Sequence, residues 1–523
     1  MTSVAGRPAL QPTSRPLARL VALAVSIAAF WVGVAFAEAP LAATLIVLGA
    51  LALIVSLARP GAATYVVIVI LYSNAAGVAV RDHGLPQLVG IAFPLLLALP
   101  LAEQLVLRRK PVVVTAGLPF LFGYLLVQVL AAIGARDPVD ATDSLVGFLI
   151  SGFGLYFVIT NVVRTYGSLR LVTWTVLLVG AGMGALSTYQ AGTETYRNDY
   201  LGFSTVDLPG QDSRGEHLVA SLVGTPRAEG PIGETNRYGQ VMLVLLPLGA
   251  FLALGERRRG LRWLALFLTA LILCGMATTF SRGAALGLVA VLGVAVAFRY
   301  LRLVHLGLLG LLLVAVLAVF PRYSERLVDL QGLASIVAGE TADAPGDTGN
   351  LRGRLTATLA ALYVWEDHPL LGVGRGQFDK YYPEYAGLVA ETTSESRVAF
   401  GEERQAHNLY TSVAAEPGTL GFLAFFAVFL VTMAGLEQAR RRWRHDRPEV
   451  SQLAMGFLLA LVAYLVSGIA LHLSYERYLW FLLALAGVAA TLALRGDPAR
   501  DLEIGPSAGW RRVRTASQPV GAR

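Results

Sequence analysis

About fourteen apolar runs divide this chain, each near or above the ~17 residues a helix needs to cross a hydrocarbon layer. They fall near 20–36, 41–57, 62–80, 86–107, 112–134, 144–163, 169–189, 238–254, 261–278, 284–298, 303–320, 409–433, 450–472 and 479–494. The first two also read as one short hairpin, so roughly twelve to fourteen transmembrane helices are expected. Inside lipid a helix satisfies its own backbone, which makes an all-α polytopic membrane protein the expected fold class. The composition agrees, with 55% hydrophobic residues, 15% charged residues and a mean hydropathy of +0.61. A net charge of +7 does not imply nucleic acid here, because the arginines cluster between apolar runs, where they act as orientation signals. Cys274 is the sole cysteine, which excludes an intramolecular disulfide, a thiolate metal site and a redox pair.

The N-terminus places Arg7, Arg15 and Arg19 ahead of the first apolar run. A signal peptide is the alternative, but the run Leu20–Phe36 is long and no clear small-x-small cleavage site precedes Leu41, so it is expected to remain as the first span. With the N-terminus inside, cytoplasmic segments collect Arg59, "LRRK" (107–110), "ERRRGLR" (256–262), "RYLR" (299–302), "ARRRWRHDR" (439–447) and the "RRVR" of the tail. The short turns on the other side hold single arginines such as Arg81 and Arg136. The positive-inside rule then makes both termini cytoplasmic, with 496–523 as a cytoplasmic tail of a single integral membrane domain spanning 1–523. Two long segments fall outside, 190–236 and 321–408. Loops of this length carry function or remain unstructured. The second is expected to contain short helices, because the apolar spacing from Leu351 to Trp365 suits one amphipathic helix.

Three stretches converge on the outer face in this topology: "TPRAEGPIGETNRYGQ" (225–240), "TFSRGA" (279–284) and "GEERQAHNLYTSVAAEPGTLGFL" (401–423). Arg282 lies where two apolar runs meet, at a cost of roughly 2.5–3.5 kcal/mol on insertion scales if it reaches the membrane centre. Orientation pressure does not explain an arginine on the outer face, so Arg282 is either a snorkelling interface residue or a ligand for an anion. The planar guanidinium suits phosphate oxygens, and several arginines at one interface suit a lipid diphosphate. Arg227, in a Gly/Pro-rich loop, reads equally as a solvated charge. His407 opens a span and can accept a proton from a hydroxyl near neutral pH, or simply hydrogen-bond backbone. Glu416, just inside the expected span, is a partner for His407 or an arginine, or else structural. Pro417 and Gly418 beside it predict a kink. "GVGRGQF" (372–378) looks like a nucleotide loop, but a lone glycine pattern outside the membrane reads as a turn. The motifs show no metal-binding spacing, so a metal-independent transfer without cofactor is the simpler expectation.

In this order the stretches "R227-x-x-G230" followed by Asn236, "TFSRGA", "WEDHPLLGVGRGQF" (365–378) and "AHNLYTSVAAEPGTLGFL" (406–423) resemble the O-antigen ligase and polymerase superfamily of bacterial envelope glycosyltransferases. The resemblance covers roughly residues 220–430, and the proline of "AEPG" departs from the small or aliphatic residue commoner there. It implies a GT-C-like membrane fold and an inverting, metal-independent transfer of glycan from a polyprenyl diphosphate carrier. The reaction would take place at the outer, periplasmic face of the bacterial inner membrane. It implies that Arg227 and Arg282 hold the diphosphate and that His407 activates the acceptor hydroxyl. Supporting substrate-binding roles fall to Arg375, Asn236 and Glu416. The implied partners are the polyprenyl-diphosphate-linked donor, a lipid A-core or other glycan or lipid acceptor, and membrane lipids, with no nucleic acid. Ligase and polymerase differ only in acceptor; the long loop before "HNLY" favours the ligase. A transporter or flippase is the competing class, but its usual internal repeats and midplane sites are not evident.

Overall fold

The computed structural model describes residues 54, 60–86, 96–208, 226–300, 347–393, 405–471 and 477–496. The expected spans at 20–36, 41–57 and 303–320, part of that at 86–107, and the tail from 497 onward lie outside the described residues. The protein is an all-α polytopic membrane protein: among the described residues seven helices are long and apolar enough to cross a membrane, or eight if one bent pair counts as a span.

Two compact units divide the chain at Pro111 and Val112. In the first, α1 (Pro60–Tyr72) and α2 (Ala75–Arg81) form the bent pair, with an angle of 51° between them. The span expected at 62–80 is therefore broken, because Asn74 adopts the left-handed region at φ 54 and cannot continue a right-handed helix. A short helix, α3 (Ala98–Ala102), packs against α1.

The second unit opens with α4 (Leu118–Ile133) and α5 (Pro138–Phe148), which passes through a π-helical turn into α6 (Leu155–Val162) as one 25-residue span. The Asp137 side chain caps α5 by accepting from the backbone of Val139 and Asp140, with Pro138 at the first helical position. α7 (Tyr166–Thr193) starts on a reciprocal Thr165–Ser168 capping box. An antiparallel ribbon, β1 (Thr205–Asp207) with β2 (Arg227–Gly230), leads into α8 (Thr235–Gly255), α9 (Arg259–Ala277) and α10 (Arg282–Ala297). After these come α11 (Asp347–Asp367), α12 (Phe378–Thr393), α13 (Leu409–Ala415), α14 (Gly418–Arg442), α15 (Pro448–Ser467) and α16 (Arg477–Arg495).

The bundle is built around α8, whose apolar window is 83% buried, with α15 and α16 nearly as enclosed; α9 and α14 are mostly exposed on the outside. α8 packs on α9, α10 and α15, and α14 joins α15 to α16 and α4. Lipid supplies no hydrophobic drive between helices, so close packing relies on small residues. A Cβ on Gly275 of α9 would lie 2.3 Å from the Cα of Gly184 on α7, so both glycines permit that approach.

Among the described residues the long segment before α13 holds two helices, α11 and α12, in keeping with the short helices expected there. In α11, Ala357, Ala360, Ala361 and Val364 form a buried stripe against Phe378, Tyr381, Tyr382, Tyr385 and Val389 of α12. α11 is not one-sided, however: Leu355, Leu362 and Trp365 are apolar and exposed. The α11–α12 pair is bound to the start of α14 by backbone. Val373 N donates to Ala415 O (3.1 Å), Gly374 N to Glu416 O (2.9 Å), Thr419 N to Pro369 O (2.8 Å) and Leu420 N to Leu370 O (3.2 Å). Glycine makes this docking possible. Gly418 has φ +65, and a Cβ there would lie 2.5 Å from Gly372 N. The kink expected at Pro417–Gly418 is thus present, and its freed backbone groups are taken by the segment 369–374.

Gly418→Ala is predicted to destabilise the protein by about 2 kcal/mol or more, since it combines a left-handed conformation with backbone overlap. Thermal melting in detergent should show this loss. Gly182→Ala in α7, with nothing within 4 Å of the added Cβ, should melt with wild type.

Candidate functional site

The C-terminal end of α15 gathers the three stretches singled out in the sequence. The last carbonyls of a helix have no partner within it, and in an apolar bundle they must find one elsewhere. Leu465 O accepts from the Tyr410 hydroxyl of α13 (2.9 Å), while Tyr464 O, already served by the Gly468 amide and the Ser467 hydroxyl (3.0 Å), also receives Gln240 Nε2 of α8 (3.4 Å). Gln240 also donates to Ser467 Oγ at 2.7 Å, and all three residues are at least partly buried. Ser467 and Ala470 lie against Gly283 of the "TFSRGA" stretch, where an added Cβ would meet Ala470 Cβ at 3.6 Å. Gly468 lies against Leu409, where the corresponding distance is 2.9 Å. Arg282 and His407 are therefore each one or two residues from neighbours on the same turn of α15.

The arginine side is held by a hydrogen-bonded chain. Ala228 N of β2 donates to Thr278 O (3.0 Å), tying the ribbon to the end of α9. Arg227 donates from Nε to Thr279 O (3.2 Å) and from Nη2 to Asn236 Oδ1 (3.3 Å), with Asp207 of the opposite strand 4.0 Å away. Ser281 Oγ donates to the same Asn236 oxygen (3.1 Å) while accepting from Ala284 N as the N-cap of α10. Glu234 caps α8, accepting from the amides of Asn236 and Arg237. Arg282 is the first residue of α10 and is exposed, so its charge adds to the positive end of that helix dipole. An arginine there is unfavourable for the helix and favourable for a bound anion.

On the other side, His407 is half-buried with φ 48. A left-handed non-glycine residue costs roughly 1–2 kcal/mol, so the surrounding fold must enforce it. Asn408 follows in extended conformation and caps α13 through Oδ1, accepting from Tyr410 N (2.9 Å) and Thr411 N (3.2 Å). Phe280, beside Ser281, has the same left-handed backbone at φ 50.

Arg375 and Glu416 belong to a different environment. Both are nearly fully buried, at 5% and 7% exposure, within the joint that fastens the α11–α12 pair to α14. The Glu416 carboxylate accepts from Gly376 N (3.2 Å), and the Arg375 guanidinium lies 4.8 Å from the centre of the Phe148 ring. Burial pushes the Glu416 carboxyl up to about 8, against the opposing pull of Arg375 and of the Gly376 and Phe378 amides. Both residues lie in the joint between the α11–α12 pair and α14.

The sequence did not single out Ser281, although a serine directly before a helical run is a recognisable cap signal. It gave no sign of Asp207, whose approach to Arg227 depends on ribbon pairing across a separation of twenty residues. Gln240 and Ser467 were hidden inside apolar runs.

Glu416 binds its proton more tightly in the folded than in the unfolded state, where a carboxyl titrates near ~4.3. Its contribution is therefore fully present below about pH 4.3 and is lost as pH rises towards 8. Glu416→Gln should remove this loss, so melting curves from pH 4.5 to 8 should show the variant gaining on wild type with rising pH.

No curated protein matches the chain. Residues 267–426 match the family described as O-antigen ligase, a segment that runs from α9 into α14 and contains Arg282, Arg375, His407 and Glu416. The chain is a multi-pass membrane protein, and this segment of it is similar to the O-antigen ligase family.

Proposed function

We propose that the protein transfers a glycan from a polyprenyl diphosphate carrier to an acceptor hydroxyl of lipid A-core at the periplasmic face of the bacterial inner membrane. The observation that carries this reading is the shared turn of α15, beside which lie both the Arg282 helix start and the His407 turn. Arginine-bearing and histidine-bearing turns that meet the same helix end would supply what diphosphate displacement requires.

In this reading the acceptor oxygen attacks the anomeric carbon from the face opposite the diphosphate, giving inversion. His407 takes the hydroxyl proton as the new C–O bond forms. The old C–O bond breaks towards the diphosphate, whose growing negative charge is met by Arg227 and Arg282. No metal ion or cofactor is assigned a role. Asn236 and Ser281 keep the two arginine-bearing turns together, and Arg375 and Glu416 fix the helix break nine residues after His407. Both termini are cytoplasmic in this reading, and the segments 190–236 and 321–408 lie outside, within a GT-C-like arrangement.

The test is reconstituted protein with a polyprenyl-diphosphate-linked glycan and lipid A-core, with products read by gel and mass spectrometry. Wild type should glycosylate lipid A-core, with or without EDTA. His407→Ala should lose about 10²–10⁴-fold in rate, the usual worth of a general base. A ladder growing on the carrier lipid would make the protein a polymerase of the same family. Folded wild type that moves no glycan to either acceptor would overturn the proposal.

A further inference from the structure

α11 presents apolar side chains on two opposite sides, and packing explains only one of them. Its inner stripe, Ala357–Val364, is covered by α12, by Ala406 next to His407, and by Ala415. Its outer side carries Leu355 at 55% exposure, Leu362 at 38% and Trp365 at 37%, followed by Leu370 at 65%. Glu366 and Asp367 close this side with exposed charge at the C-terminal end, so the outer stripe is apolar over Leu355–Trp365 and polar at its end. Contiguous exposed apolar surface of this kind marks an interaction face.

The outer stripe continues into a membrane-spanning surface. Trp365 Nε1 donates to Thr419 Oγ1 (3.0 Å), and Leu420 N donates to Leu370 O. Thr419 and Leu420 open α14, a span whose exposed side continues through Leu420, Leu423 and Leu430. Trp365 therefore sits beside the first turn of a membrane span with its N–H satisfied and its ring exposed, the usual disposition of a tryptophan at a membrane interface.

We infer that α11 lies in the plane of the membrane interface, with Leu355, Leu362 and Trp365 seated among the lipids of the leaflet into which α14 opens. The occupant of this face is the bilayer itself, joined without a break to the lipid-covered side of α14. The helix then has one side in lipid and the other against the residue preceding His407. It thereby sets the depth of His407 relative to the headgroups, where a lipid-borne diphosphate would lie. This docking is independent of which reaction the site performs.

The test uses the full chain in nanodiscs, in a Cys274→Ser background. Leu355→Cys and Leu362→Cys each carry an environment-sensitive fluorophore, with Leu423→Cys as the lipid reference and Arg197→Cys, in an exposed polar loop, as the water reference. Melting curves and gel filtration select labelled variants that remain folded. Doxyl-labelled lipids should quench both α11 positions to at least half the extent seen at Leu423, and iodide should quench them several-fold less than Arg197. Lipid quenching at Leu362 but not at Leu355 would mean that α11 stands out of the interface, and would overturn the inference. Iodide quenching equal to Arg197 at both positions, or protection from both quenchers by a covering protein segment, would overturn it equally.

Discussion

The end of α15 is the constraint on which the candidate site depends. A helix that finishes inside an apolar bundle leaves carbonyls that neither water nor lipid can satisfy. Here Tyr410 from α13 meets Leu465 O, and Gln240 from α8 donates to Ser467 Oγ beside Tyr464 O, which the Gly468 amide already serves. Those two side chains draw separate parts of the chain onto one helical turn, and Gly283 and Gly468 let the backbones close in. Two turns that are over a hundred residues apart in sequence are thereby brought to one place. The polar requirement of a helix end, acting within lipid-like surroundings, does the work that a hydrophobic core would do in water.

A second joint acts on the same site from the other side. The turn at 369–374 pairs backbone with 415–420, and the buried Glu416 carboxyl oxygen accepts from Gly376 just beyond it. This fixes the break between α13 and α14, so the short α13 is held at both ends, by the joint at its C-terminus and by Tyr410 on α15. His407 precedes that short helix in a left-handed conformation. Its strain is affordable because the neighbouring segments are so heavily pinned. The arginine side is tied separately, through Asn236, Ser281 and the β-ribbon. The proposed acceptor base and the proposed anion ligands thus belong to independently supported elements meeting at α15.

The spans were legible because lipid imposes a length and a polarity on each, and the runs at 169–189, 238–254, 261–278 and 479–494 match α7, α8, α9 and α16 closely. The break at Pro417–Gly418 was legible for the same reason, since proline and glycine have fixed backbone consequences. The bend at Asn74 was not, because the polar Ser73–Asn74 pair sits inside an otherwise apolar run and a single left-handed residue leaves no periodic trace. α12 was missed because its buried stripe is largely tyrosine, which reads as polar loop composition until the partner helix is known. Arg375 and Glu416 illustrate the limit for site residues: their charge and proximity to motifs marked them, but their burial in the joint shows only in the fold.

The central claim is a division of labour between the arginine-bearing turns and His407, and donor binding in the absence of acceptor tests it most directly. Native mass spectrometry of the purified protein with a polyprenyl-diphosphate-linked glycan would compare wild type, Arg282→Ala and His407→Ala. The account predicts that Arg282→Ala weakens donor binding by tenfold or more, as expected for a charge-assisted phosphate contact worth about 1.5–3 kcal/mol, while His407→Ala binds as wild type. Equal donor affinity in all three proteins, or a loss confined to His407→Ala, would contradict it.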